Sequence, residues 1–147
     1  MNGRGKASLA ADPGGRLGFP MRLGQVALLV PGYDAGIAFL TGLGFALVED
    51  TPLSAAKRWV VMRPQGGGSD ILVARAVGRQ RAAIGRQFGG RVGLFLWTED
   101  FDAGAARVTG AGGSFIEVPR DEAYGRVAKF RDPFGNLWDL IAANGRG

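Results

Sequence analysis

Two stretches of this chain repeat each other at a fixed distance. Tyr33-Asp34-Ala35-Gly36 matches Phe101-Asp102-Ala103-Gly104 at an offset of 68 residues (102 minus 34). The same offset relates Thr41-Gly42 to Thr109-Gly110, Gly44 to Gly112, Arg58 to Arg126 and Arg63 to Arg131. Self-similarity at one offset marks a duplicated unit, which constrains the fold more than any composition does.

The pattern within each copy says what the unit is. In the first, Leu23–Val30 alternates as a strand and Pro31-Gly32 breaks it. Tyr33–Thr41 has helical spacing, with Gly42 as its stop. Strands are predicted over Phe45–Glu49, Lys57–Arg63 and Asp70–Ala74, separated by a loop over Thr51–Ala56 and a Gly-rich turn over Pro64–Ser69. In the second, a strand over Arg91–Thr98 precedes a helix over Phe101–Thr109, stopped by Gly110, Gly112 and Gly113. Ser114–Val118, Gly125–Arg131 and a final strand complete it, with Arg120–Tyr124 as a loop. The unit is βαβββ, twice. A four-stranded sheet with one helix on a face leaves its other face uncovered, so the two sheets are expected to close around a space that a ligand can fill. The expected organisation is a flexible extension over 1–20, modules over 21–75 and 91–142, a polar connector over 76–90 with a short helix around Gln80–Gln87, and a tail over 143–147.

The second copy ends in Asp132-Pro133-Phe134-Gly135-Asn136-Leu137-Trp138-Asp139-Leu140. Asp132 at the first turn position can accept backbone amides, Pro133 pre-sets φ at the next, and Gly135 completes a type I pattern. The strand that follows sets one carboxylate, Asp139, among Leu137, Trp138, Leu140 and Ile141, which is costly unless something pairs with it.

This stretch resembles the closing turn and last strand of the vicinal oxygen chelate superfamily, which includes glyoxalase I, the extradiol dioxygenases and the bleomycin- and fosfomycin-resistance proteins. The usual wording is D-P-x-G-N-x-x-E-L, with the Glu a metal ligand; here Asp139 replaces it. The resemblance covers about residues 22–142 and implies an α+β fold of two tandem βαβββ modules whose curved mixed sheets enclose a cavity.

In metal-binding members each module supplies two ligands, from its first and last strands. By resemblance those positions fall on Gln25, on Ile71 or Leu72, on Gly93 and on Asp139. Gly and Ile or Leu cannot ligate, and two oxygen donors, one neutral, suit Zn²⁺, Ni²⁺ or Fe²⁺ poorly. No resident cofactor is therefore expected; a metal, if one binds, would use Gln25 and Asp139. The chain has no histidine, which removes the commonest metal ligand and general base, and no cysteine, which removes thiolate sites and fits a cytoplasmic protein.

What remains is a cavity for a small organic molecule. Alternation sets Gly93, Phe95 and Trp97 on the face equivalent to Gln25, Ala27 and Leu29; the two aromatics either wall a planar ligand or fill the core. Gly93 leaves room where a ligating side chain would stand. Arg58 and Arg126 either pair with Asp139, clamp a carboxylate or phosphate, or face solvent. Tyr124 lies by resemblance at the cavity mouth. Trp59 and Trp138 read as core. The net charge is +5, yet no nucleic-acid motif accompanies it, so Arg75, Arg79, Arg81, Arg86 and Arg91 read as a solvated connector. Gly66-Gly67-Gly68 lacks the Lys-Ser/Thr of a phosphate loop. No apolar run spans a bilayer.

The expectation is a binding protein of this superfamily without the usual ligand set, acting as a homodimer because the fold leaves sheet edges unpaired. The alternatives are a divergent metal-dependent enzyme, lactoylglutathione lyase-like or dioxygenase-like, in which Asp70 or Glu117 joins Gln25 and Asp139, and an interaction module with a filled cavity.

Overall fold

The computed structural model describes residues 18–144. The extension expected over 1–20 therefore lies outside the described residues except for its last three, as do 145–147. The first module comprises β1 (Gln25–Val30), α1 (Tyr33–Gly42), β2 (Ala46–Pro52), β3 (Arg58–Arg63) and β4 (Asp70–Arg75). A 3₁₀ helix over Gly78–Ala83 follows. The second module comprises β5 (Val92–Thr98), α2 (Phe101–Gly110), β6 (Ser114–Phe115), β7 (Arg120–Glu122), β8 (Gly125–Arg131) and β9 (Leu137–Ala143). The sheets run β1-β4-β3-β2 and β5-β9-β8-β6, with β7 also on β8. In each, the first strand lies parallel to the last and the remaining pairs are antiparallel. The architecture is the α+β pair of βαβββ modules that the repeat implies.

The helices end at Gly42 and Gly110 by the same device, a left-handed glycine two residues on. Gly44 at φ 101° and Gly112 at φ 102° adopt the left-handed conformation that glycine takes without strain. The following amides, Phe45 and Gly113, then donate back to the carbonyls of Leu40 and Val108, each at 2.9 Å.

Three boundaries differ from the sequence expectation. β2 runs through Thr51 and Pro52, pairing with Trp59 and Arg58, where a loop was predicted. Arg120–Glu122, also predicted as a loop, pairs with β8. The strand predicted over Ser114–Val118 stops at Phe115, because the Glu117 carboxylate takes the Lys129 amide at 2.8 Å in place of a main-chain carbonyl. The connector helix is a 3₁₀ turn, and its continuation caps a sheet edge. The Gln87 side-chain amide accepts from the Leu29 N–H at 2.7 Å and donates to the Ala27 carbonyl at 2.9 Å, as a neighbouring strand would.

The core is continuous across both modules. Leu28, Val30, Val60, Met62, Ile71 and Val73 point at α1, and Ala128, Phe130, Trp138 and Leu140 join the same cluster. Phe39 on α1 is the link, meeting Phe134 and Trp138 edge-on at 6.1 and 5.8 Å, while Trp138 stacks on Phe130 at 5.5 Å. The modules therefore meet through the sides that carry their helices. On the opposite face of the second sheet Val127, Asp139 and Ile141 are buried, while Phe95 and Trp97 near the β5 edge remain 51% and 58% exposed.

Candidate functional site

The turn over Asp132–Asn136 sets the end of the second module. Asp132 Oδ1 accepts the amides of Phe134, Gly135 and Asn136, each at 2.9 Å. Its Oδ2 accepts Asn136 Nδ2 at 3.0 Å and the Trp138 indole N–H at 2.9 Å. A buried carboxylate with five donors is well satisfied, and it holds Trp138 in the orientation the core needs.

Seven residues on, Asp139 is the opposite case. It is buried, and its Oδ1 has no hydrogen-bond partner. In the sheet it lies between Phe95 on β5 and Lys129 on β8. The first-module pairs Ala27–Leu72 and Val61–Leu72 stand 68 residues before Phe95 and Lys129, so Leu72 rather than Ile71 is the counterpart of Asp139. The sequence alone left that choice open, because the Gly66–Gly68 turn is one residue longer than its partner.

The four positions at which the resemblance implies metal ligands are thus Gln25, Leu72, Gly93 and Asp139. Leu72 offers no donor, and neither does Gly93, whose missing side chain makes room for the Phe88 ring rather than for a ligand. Asp70 and Glu117, the other oxygens considered, are engaged: Asp70 with Arg63 at 3.0 and 2.9 Å, and Glu117 with Arg120 and the Lys129 amide. Among the described residues, no three His, Cys, Asp or Glu side chains gather into a metal-binding group. This donor set does not fit a resident transition metal.

Arg58 and Arg126, for which a bond to Asp139, an anion clamp and a solvent-facing position all stood open, pair with surface carboxylates instead. Arg58 bonds Asp50 at 3.1 and 2.7 Å and Asp34 at 3.1 Å, and its guanidinium stacks over Tyr33. The bond to Arg58 holds the Asp50 carboxyl below the usual range. Arg126 lies 3.6 Å from Asp121 and over the Phe101 ring. Neither pairs with Asp139. Tyr124, half exposed, sits in the turn between β7 and β8 near Arg120, which Glu122 above all keeps charged. Gln25 is exposed at the start of β1, opposite Asp70.

Between the modules lies a cleft of about 500 Å³. One wall is β5 from Leu94 to Thr98 with Trp138 and Leu140 behind it; the other is Val26, Ile71 and the α1 exit at Leu43–Phe45. The Pro64–Asp70 turn forms a lip, and Gly104 and Arg107 of α2 close the far side. Of the residues that the sequence nominates, Asp70, Ile71, Phe95 and Trp97 border this cleft, the last two at the free edge of β5. Leu94, Leu96 and Arg107 were missed. Nothing local marks them, since only the packing of α1 and α2 brings these elements together.

Comparison with known proteins agrees with this architecture. The sequence profile of the Glyoxalase/Bleomycin resistance protein/Dioxygenase superfamily matches residues 22–140. An uncharacterized protein of Shewanella frigidimarina (strain NCIMB 400) is 45% identical over 124 residues, covering 82% of this chain and 92% of that protein. Among solved structures, UcmS2 is 26% identical with a TM-score of 0.71, covering 85% of this chain and 100% of its own. TnmS3, an antibiotic binding protein from Streptomyces sp. CB03234, is 25% identical with a TM-score of 0.65, over 85% of this chain and 98% of its own. Two βαβββ modules, the Asp132 turn and these matches lead to one conclusion: the chain belongs to the glyoxalase/bleomycin resistance protein/dioxygenase superfamily.

Proposed function

We propose that this protein is a binding protein for a small, mostly apolar organic molecule, held in the cleft between the modules without a resident metal and without chemistry. The observation that carries this reading is the cleft itself. Its volume suits a drug-sized ligand, its walls are Leu94, Leu96, Trp138 and Leu140, and the β5 edge from Leu94 to Thr98 borders it. The antibiotic-binding neighbour TnmS3 supports it. The same reading includes a homodimer, because a second copy would cover the aromatic outer face, and a cytoplasmic setting, which the cysteine-free sequence favours.

The test is a titration with N-phenyl-1-naphthylamine, a neutral aromatic dye, excited directly. Saturable binding is expected, abolished by Val26→Trp, which fills the cleft from a half-exposed strand position. A bound ligand at 100 times its Kd should add about 2.7 kcal/mol to unfolding. Absence of saturable binding would sink the proposal.

The second reading is a metal-dependent lyase or dioxygenase built on Gln25 and Asp139. The unpartnered Oδ1 of Asp139 is the observation in its favour. Elemental analysis of protein purified without chelator, followed by melting with and without EDTA, separates the two. No metal and an unchanged melt are expected; near-stoichiometric metal with an EDTA-sensitive melt would install the second reading.

A further inference from the structure

We propose that Arg107 makes the cleft selective for amphiphilic organic anions, aryl or alkyl carboxylates and sulfonates, with the charged head on the guanidinium and the body against Leu94, Leu96 and Trp138. This rests on the cleft being the binding site. Arg107 lies in the last turn of α2 and lines the cleft. Among the described residues it forms no ion pair, whereas the arginines first nominated as anion clamps, Arg58 and Arg126, face Asp34, Asp50 and Asp121. Asp70 also lines the cleft, but Arg63 holds it through two bonds at 3.0 and 2.9 Å, so that pair is neutral. Arg107 is therefore the cleft's uncompensated charge. The α1 exit makes room for it: a Cβ on Gly44 would fall 2.5 Å from Arg107 Nη1. A guanidinium beside apolar walls suits a ligand with one anionic end, because its planar donors meet carboxylate or sulfonate oxygens in pairs.

Two dyes isolate the charge. 8-Anilinonaphthalene-1-sulfonate and N-phenyl-1-naphthylamine share their aromatic body and differ by the sulfonate. The wild-type chain should bind the sulfonate about five-fold more tightly, an advantage that shrinks with added salt. Arg107→Gln should erase the difference and leave the neutral dye unchanged, Arg107→Lys should retain most of it, and Val26→Trp should abolish both dyes. If Arg107→Gln leaves sulfonate binding intact while Val26→Trp removes both dyes, the anion preference is wrong and the binding reading survives. Equal weakening of both dyes by Arg107→Gln would assign Arg107 a structural role and overturn the inference. If neither dye binds, or Val26→Trp changes nothing, the site itself is wrong and the inference falls with it.

Discussion

Asp132 and Asp139 are both buried carboxylates in one short segment, and they predict opposite responses to mutation. Asp132 satisfies five donors, so Asp132→Ala strands three amides, an indole N–H and the Asn136 side chain. The expected loss is about 3–5 kcal/mol by urea unfolding. Asp139 Oδ1 satisfies none, and its counterpart in the first module is already a leucine. Asp139→Leu should leave stability unchanged or raise it by about 1 kcal/mol, since removing an unmade hydrogen bond costs nothing. A large loss on Asp139→Leu would show that this carboxylate has a partner in solution, such as a metal or a second copy.

At the scale of elements, the informative contrast is between the two first strands. β1 is capped by Gln87, which takes the hydrogen bonds that another strand would take. The edge of β5 opens instead into the cleft, where no such cap is seen among the described residues. Gln87→Leu should expose the Leu29 amide and cost about 1–2 kcal/mol. Hydrogen exchange at Leu29 should then accelerate while the core strand β8 keeps its protection; unchanged exchange at Leu29 would show that the cap is not made. The sequence showed a polar connector here, but not the role of Gln87, because a side chain that imitates a strand leaves no periodic signal.

For the whole molecule, Phe39 is the side chain through which one module meets the other. Phe39→Ala removes its edge-on contacts with Phe134 and Trp138 and should cost about 3–5 kcal/mol. If the modules are coupled through this ring, calorimetry should resolve two transitions in the variant where the parent shows one. Acid sensitivity also belongs at this scale. Asp50 and Asp70 are held below the usual carboxylate range by bonds to Arg58 and Arg63 respectively. A depressed folded value stabilises above the ordinary carboxylate pKa of about 4 and loses that contribution as pH falls through the depressed values. With no histidine to titrate, urea midpoints should stay level between about pH 7 and 5, then fall below about pH 4. Salt should blunt the acid fall, because these surface pairs are screened.

The sequence alone determined the duplication, the βαβββ order, the Asp132 turn and the thinness of the metal-ligand set. These follow from local chemistry: a left-handed glycine stops a helix, an aspartate caps its own turn, and a missing side chain cannot ligate. Strand alternation set Phe95 and Trp97 on one face, as a ligand wall or as core, but not their exposure of 51% and 58%, which depends on what packs over that face. The tertiary structure decided the rest. It chose Leu72 as the partner position of Asp139 through strand register, gave Arg58 and Arg126 to surface carboxylates, and filled the space at Gly93 with Phe88. It also formed the cleft and set Arg107 on it, because residues from both modules become neighbours only once two helices pack into one core. No period or motif within a single module records that contact.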